Sequence, residues 1–173
     1  GSDGDETQRW SYDERYRVCR HYTPETGSTL FDYDNANRLE AKAEGQSGEL
    51  GCANLPSSKT KYTYDLLDRT KLINYPSGTA DVTYEYDANG NITDLLNGDG
   101  NWYYGYDNHD DLKTEQLTID GKNFNLAYTY DGNSSLATQT YPNGDVISYA
   151  PNALGQATQV IRDERVANES LSS

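Results

Sequence analysis

A four-residue motif, aromatic-x-Tyr-Asp, recurs six times along the chain, and nothing else in the sequence narrows the possible folds as far. It reads Trp10-Ser11-Tyr12-Asp13, Phe31-Asp32-Tyr33-Asp34, Tyr62-Thr63-Tyr64-Asp65, Tyr84-Glu85-Tyr86-Asp87, Tyr104-Gly105-Tyr106-Asp107 and Tyr128-Thr129-Tyr130-Asp131. Tyr149-Ala150-Pro151-Asn152 is a degenerate seventh copy. The aspartates, with Asn152 as the last, stand 21, 31, 22, 20, 24 and 21 residues apart. Only the second interval is irregular. It holds a Gly/Ala/Glu-rich insert from about Glu40 to Ser58.

The motif reads as one side of a β-hairpin. Residues two apart on a strand share a face, so the two aromatics of each copy lie together. The aspartate accepts hydrogen bonds from backbone N–H groups just downstream and closes an Asx-type turn. Three residues after it come Asn37, Asp68, Gly90, Asp110, Ser134 and Gly155, mostly types that tolerate a left-handed backbone. The first copy departs from this, with Tyr16-Arg17-Val18. An apolar residue such as Leu39, Ile92, Leu112 or Leu136 then opens the return strand. A second turn falls between copies. Tyr75-Pro76-Ser77-Gly78 and Tyr141-Pro142-Asn143-Gly144 read as matching turns, and Thr23–Gly27, Asn97–Gly100 and Asp120–Asn123 fill the same slot. The predicted fold class is therefore all-β: antiparallel hairpin repeats forming a curved strip or partial β-shell. Each unit buries little alone and is stabilised by its neighbours. Helical periodicity is confined to a polar stretch, residues 162–171, that equally suits a frayed tail.

Composition agrees with a thin, wet sheet. Tyrosine stands at 16 of 173 residues, against 2 Phe, 2 Trp and no Met, and it pairs an apolar body with a polar tip. The formal net charge of -14 disfavours nucleic-acid phosphates and anionic membrane surfaces. No stretch is apolar enough to span a bilayer. Gly1-Ser2 reads as a cloning remnant, and residues 1–9 as that remnant plus a tail. Residues 10–161 form the repeat region and 162–173 a second tail, the whole being a segment of a longer polypeptide. Cys19 and Cys52 are either two reduced thiols or a disulfide joining the first repeat to the insert.

Chemistry-bearing constellations do not emerge. His21 and His109 read as exposed residues rather than members of a triad. Neither Asp87-Ala88-Asn89-Gly90-Asn91 nor Asn97-Gly98-Asp99-Gly100-Asn101 continues as a calcium loop. The expectation is a protein with no catalytic, cofactor-binding or metal-binding residues, hence not an enzyme.

The six motifs resemble the Rhs/YD-repeat family, which includes bacterial Rhs polymorphic toxins, the C components of insecticidal Tc complexes and animal teneurins. The resemblance covers about Trp10 to Ile161. It implies a β-strip that spirals into a hollow shell, enclosing a toxic C-terminal polypeptide in the bacterial members and serving adhesion in teneurins. Seven repeats are far fewer than a full shell needs. The family's self-cleaving Asp-Pro-x-x-Gly signature is missing, since no Asp-Pro dipeptide occurs. The implied role is a structural segment of a secreted or cell-surface shell that encapsulates and delivers a toxin. The alternative is a carbohydrate-binding or adhesion module using the Tyr-rich face. Expected partners are the rest of the polypeptide (neighbouring repeats and an enclosed toxin), a glycan, and a second copy in a weak edge-to-edge homodimer. That dimer would form through terminal strands near Trp10–Tyr12 and Thr158–Ile161.

Overall fold

The computed structural model describes residues 7–163. Those residues form fourteen strands and no helix, and strands adjacent in sequence are hydrogen-bonded neighbours and antiparallel. The chain divides into two units, one running to Thr83 and the other from Tyr84.

The first unit holds β1 (Arg9–Tyr12), β2 (Val18–Thr23), β3 (Gly27–Tyr33), β4 (Leu39–Gln46), β5 (Thr60–Tyr64), β6 (Thr70–Asn74) and the first two residues of β7 (Val82–Tyr86). Its strands bracket the motif turns at Asp13, Asp34 and Asp65. The insert is shorter than its composition suggests, because Leu39–Gln46 is strand and only the segment after Gln46 loops out. That loop lies over Arg20 and Ser28. There Arg20 pairs across to Leu30, and Leu30 to Ala43. Cys19, Leu30, Ala41 and Ala43 are buried with Arg20, Ser28 and Thr60, a core no deeper than one sheet and one loop.

The second unit holds the rest of β7, then β8 (Ile92–Leu96), β9 (Asn101–Tyr106), β10 (Leu112–Ile119), β11 (Lys122–Tyr130), β12 (Leu136–Thr140), β13 (Val146–Ser148) and β14 (Ile161–Asp163). Among its described residues only Asp145 is buried, and many apolar side chains are half-buried, while others such as Phe124, Leu154 and Val160 are exposed. Arg162 on β14 ties back to Asp145 (2.7 Å). Arg162 and Asp163 are thus strand, and the remainder of the 162–171 stretch lies outside the described residues.

Five of the motif hairpins also carry a bulge that the repeat pattern did not announce. Ser11 faces Arg20 but Tyr12 faces Val18, so Cys19 is skipped. The same step skips Glu40, Lys71, Lys113 and Ala137 opposite Tyr33, Tyr64, Tyr106 and Tyr130. A bulge of this kind increases local twist and re-aims the next side chain. Its recurrence at one register position makes it part of the repeat.

Candidate functional surface: the wired tyrosine–aspartate turns

The motif turn is a three-residue loop closed by its aspartate. Asp34 N–H donates to the Arg38 carbonyl (2.9 Å), and Asn37 N–H returns to the Asp34 carbonyl (3.1 Å). That geometry is a type I turn followed by a left-handed residue. Asn37, Asp68, Gly90, Asp110, Ser134 and Gly155 all have positive φ, between 58° and 99°. Tyr16 occupies the same position at φ 59°, so the first copy departs in residue type and not in conformation. Asn152 closes its turn as the aspartates do, through the N–H groups of Leu154 (2.9 Å) and Gln156 (3.1 Å). The two Tyr-Pro turns do not match. Tyr141 closes with the Asp145 carbonyl (2.8 Å), whereas Tyr75 N–H bonds the Asp81 carboxylate (3.1 Å) across a longer loop.

In the first four copies both carboxylate oxygens of the motif aspartate are engaged. Asp34 Oδ1 accepts from the N–H groups of Ala36 and Arg38, each at 2.9 Å, while Oδ2 accepts from Arg38 Nε (2.7 Å). Asp13 with Arg15 and Arg17 repeats this arrangement, as does Asp65 with Leu67 and Arg69. Asn91 replaces the arginine beside Asp87. The Arg17 N–H holds the Asp13 carboxyl below its usual range, and the Arg38 N–H does the same for Asp34. The His109 N–H is the leading cause at Asp107.

The residue four beyond Asp13, Asp34 and Asp87 then reaches the next turn. Arg17 donates to Asn37 Oδ1 (3.0 Å) and lies over the Tyr33 ring, 4.6 Å from its centre. Arg38 donates to Asp68 (2.5 Å) and lies 4.7 Å over Tyr64. In the second unit Asn89 and Asn91 both donate to Asp110 (2.7 and 2.9 Å). Farther on the pair shrinks, and a Cβ at Gly155 would stand 3.0 Å from Ser135 Oγ. The motif tyrosine completes the link. Tyr33 OH donates to the Val18 carbonyl (2.9 Å), Tyr64 to Leu39 (2.8 Å), Tyr106 to Ile92 (2.9 Å) and Tyr130 to Leu112 (2.7 Å). In every case the acceptor opens the return strand of the preceding hairpin. The arginines at the fourth position were visible in the sequence. Their reach to the next turn was not, because the pleat decides it.

Motif aromatics differ in exposure by place. Trp10 and Tyr12 are exposed at 49% and 57%. Phe31, Tyr33, Tyr62, Tyr64, Tyr84, Tyr86, Tyr104, Tyr106, Tyr128 and Tyr130 are all half-buried. Trp10 stacks on His21, their ring centres 4.9 Å apart. Tyr128 OH bonds Glu115 (3.1 Å), and burial followed by that carboxylate pushes its pKa up to about 12. His109 sits exposed on the Asp107 turn.

The insert is fixed from several sides. Cys19 and Cys52 are joined in a disulfide, Cα atoms 5.4 Å apart. Buried Arg20 donates to the carbonyls of Ser47 (2.9 Å), Gly48 (2.7 Å) and Gly51 (2.7 Å). Ser28 bonds the Gly48 carbonyl, Arg9 pairs with Glu49, and the Gly51 N–H donates to Ser11 Oγ (2.8 Å). A buried guanidinium needs such partners.

Among the described residues no group of three His, Cys, Asp or Glu side chains is placed to hold a metal ion. Asp87 Oδ1 accepts three backbone N–H groups of its own turn, and Asn97 Oδ1 accepts two.

The fold is similar to solved structures of larger assemblies. The crystal structure of TcdB2-TccC3-Cdc42 matches with a TM-score of 0.70 at 14% identity, over 91% of this chain and 9% of that one. The crystal structure of TcdB2-TccC3 matches with a TM-score of 0.69 at 14% identity and the same coverage. A Photorhabdus luminescens Tc holotoxin pore with a TccC3 mutation matches at 0.49 and 16% identity, covering 90% and 10%, too loosely to argue from. This chain spans about a tenth of those chains. No curated protein matches it. The teneurin YD-shell family model matches residues 4–168, nearly the whole sequence. With its turns, bulges and inter-turn links in place, the chain belongs to the teneurin YD-shell family.

Proposed function

We propose that this chain is a stretch of wall in a larger extracellular β-shell, and that the shell encloses and delivers a toxic polypeptide. The observation that carries the reading is the inward use of the motif's chemistry. The linked aspartates hold their own turns, the arginines bridge to the next, and the tyrosine hydroxyls hold the preceding hairpin. Side chains so engaged bind neighbours within a wall and perform no reaction. The chain's partners are then the adjoining repeats, with nucleic acid and anionic membrane surfaces disfavoured by its charge. Limited proteolysis of the longest polypeptide carrying this sequence tests the proposal. The expected result is a fragment resistant to protease until the shell is unfolded. Digestion of everything outside the YD repeats, with the repeats intact, counts against it.

A second reading, a glycan-binding or adhesion surface, is favoured by Trp10 and Tyr12, the exposed motif aromatics among the described residues. Rigid aromatics of this kind suit sugar and protein contacts. A glycan array on the wild type and on Trp10→Ala decides it. Hits lost in the variant support the reading, and an array without hits removes it.

A further inference from the structure

The second unit contains an open strand edge away from the chain's terminal strands. β11 pairs with β10 along Lys122–Ala127, but β12 joins it only from Ala127 onward. The chain then turns back tightly at Tyr141–Asp145. Lys122, Asn123, Phe124 and Asn125 are exposed, with Phe124 at 43%.

The hairpin tip determines which backbone groups face outward. Asp120 and Gly121 have φ of 49° and 71°, a two-residue type I′ turn. Its flanking pair, Ile119 and Lys122, exchanges both hydrogen bonds, and the alternation of antiparallel pairs follows from there. Phe124 and Leu126 therefore bond inward to Leu117 and Glu115. Asn123 and Asn125 direct N–H and C=O away from β10, toward the side β12 does not reach.

We infer that this edge is a self-association site, taking a second copy of the same strand in antiparallel register about Phe124. The sequence Lys122-Asn123-Phe124-Asn125-Leu126 is nearly symmetric about its centre. A two-fold axis there sets Asn123 against the partner's Asn125 as hydrogen-bonded pairs, making four backbone bonds. Phe124 meets its own copy in the closer, non-hydrogen-bonded pair. The two asparagine side chains of each pair share a face and bond one another. Lys122 lies over the partner's Leu126. The strand carries no carboxylate in a chain of net charge -14, so charge opposes contact less here than elsewhere. The Tyr141–Asp145 turn limits an added strand to about five residues, the length of the partner's own free edge. Contacts of this isologous kind close as dimers.

The test uses the whole chain at two salt concentrations. Sedimentation from about 10 μM to about 1 mM shows a monomer–dimer equilibrium, tighter at high salt because screening weakens self-repulsion. Hydrogen exchange followed by NMR shows amides of Asn123 and Asn125 gaining protection with concentration, while Phe124 and Leu126 are protected throughout. Asn125→Pro removes an outward N–H that β10 does not use, and it weakens association at least about tenfold. Phe124→Lys sets like charges opposite each other and weakens it likewise. Unchanged circular dichroism shows that each variant folds. A strict monomer at all concentrations, or a dimer that Asn125→Pro leaves intact, overturns the inference.

Discussion

At the scale of single residues, every motif side chain has a separable task. Tyr64→Phe keeps the ring under Arg38 but removes the hydroxyl that donates to the Leu39 carbonyl at 2.8 Å. The expected cost is about 1 kcal/mol in urea unfolding. Tyr16 is 90% exposed at φ 59°, a left-handed backbone that costs an ordinary residue energy glycine does not pay. Tyr16→Gly is therefore expected to stabilise the first unit by about 0.5–1 kcal/mol, read by the same titration. The carboxylates of Asp13, Asp34 and Asp107 are held below the usual 3.8, chiefly by backbone N–H groups. A depressed folded-state value contributes stability that is present above 3.8 and lost as pH falls through the lower folded values. Acid titration followed by circular dichroism should hold level to about pH 4 and fall below it. Asn at all three positions keeps the oxygen acceptor, and this variant should lose less stability in acid.

At the scale of the element, hairpins and turns were legible because the aromatic pair, the aspartate and the left-handed residue are local. Asn37, Asp68 and Ser134 could be placed from type alone. Three features were not legible. The bulge at Cys19, Glu40, Lys71, Lys113 and Ala137 falls on residues of no common type. The Glu40–Gln46 part of the insert looked irregular by composition, yet it pairs with β3. The two Tyr-Pro turns looked alike, but the Asp81 carboxylate captures the Tyr75 N–H, whereas the shorter loop closes on the Asp145 carbonyl. The disulfide was one of two open readings of the cysteines, because spacing alone does not bring distant thiols together. It spans 33 residues and anchors the insert over Arg20. Reduction should destabilise the first unit by roughly 3–4 kcal/mol on the loop-closure estimate. Limited proteolysis with and without reductant, read by mass spectrometry, should show new cleavage between Ser47 and Ser58 only when reduced.

At the scale of the whole molecule, stability in an array of this kind resides between repeats rather than inside them. The links from Arg17, Arg38 and Asn91 each join one turn to the next, so a hairpin is completed by the one before and the one after. Such a chain suits a continuous wall, and that is the central claim. Electron cryomicroscopy of the longest polypeptide carrying this sequence tests it most directly. The account predicts residues 9–163 running as consecutive wall strands, with another YD hairpin paired to β1 and its fourth-position side chain lying over Tyr12. A separate domain on a tether, with β1 unpaired and Tyr12 open to solvent, would contradict it.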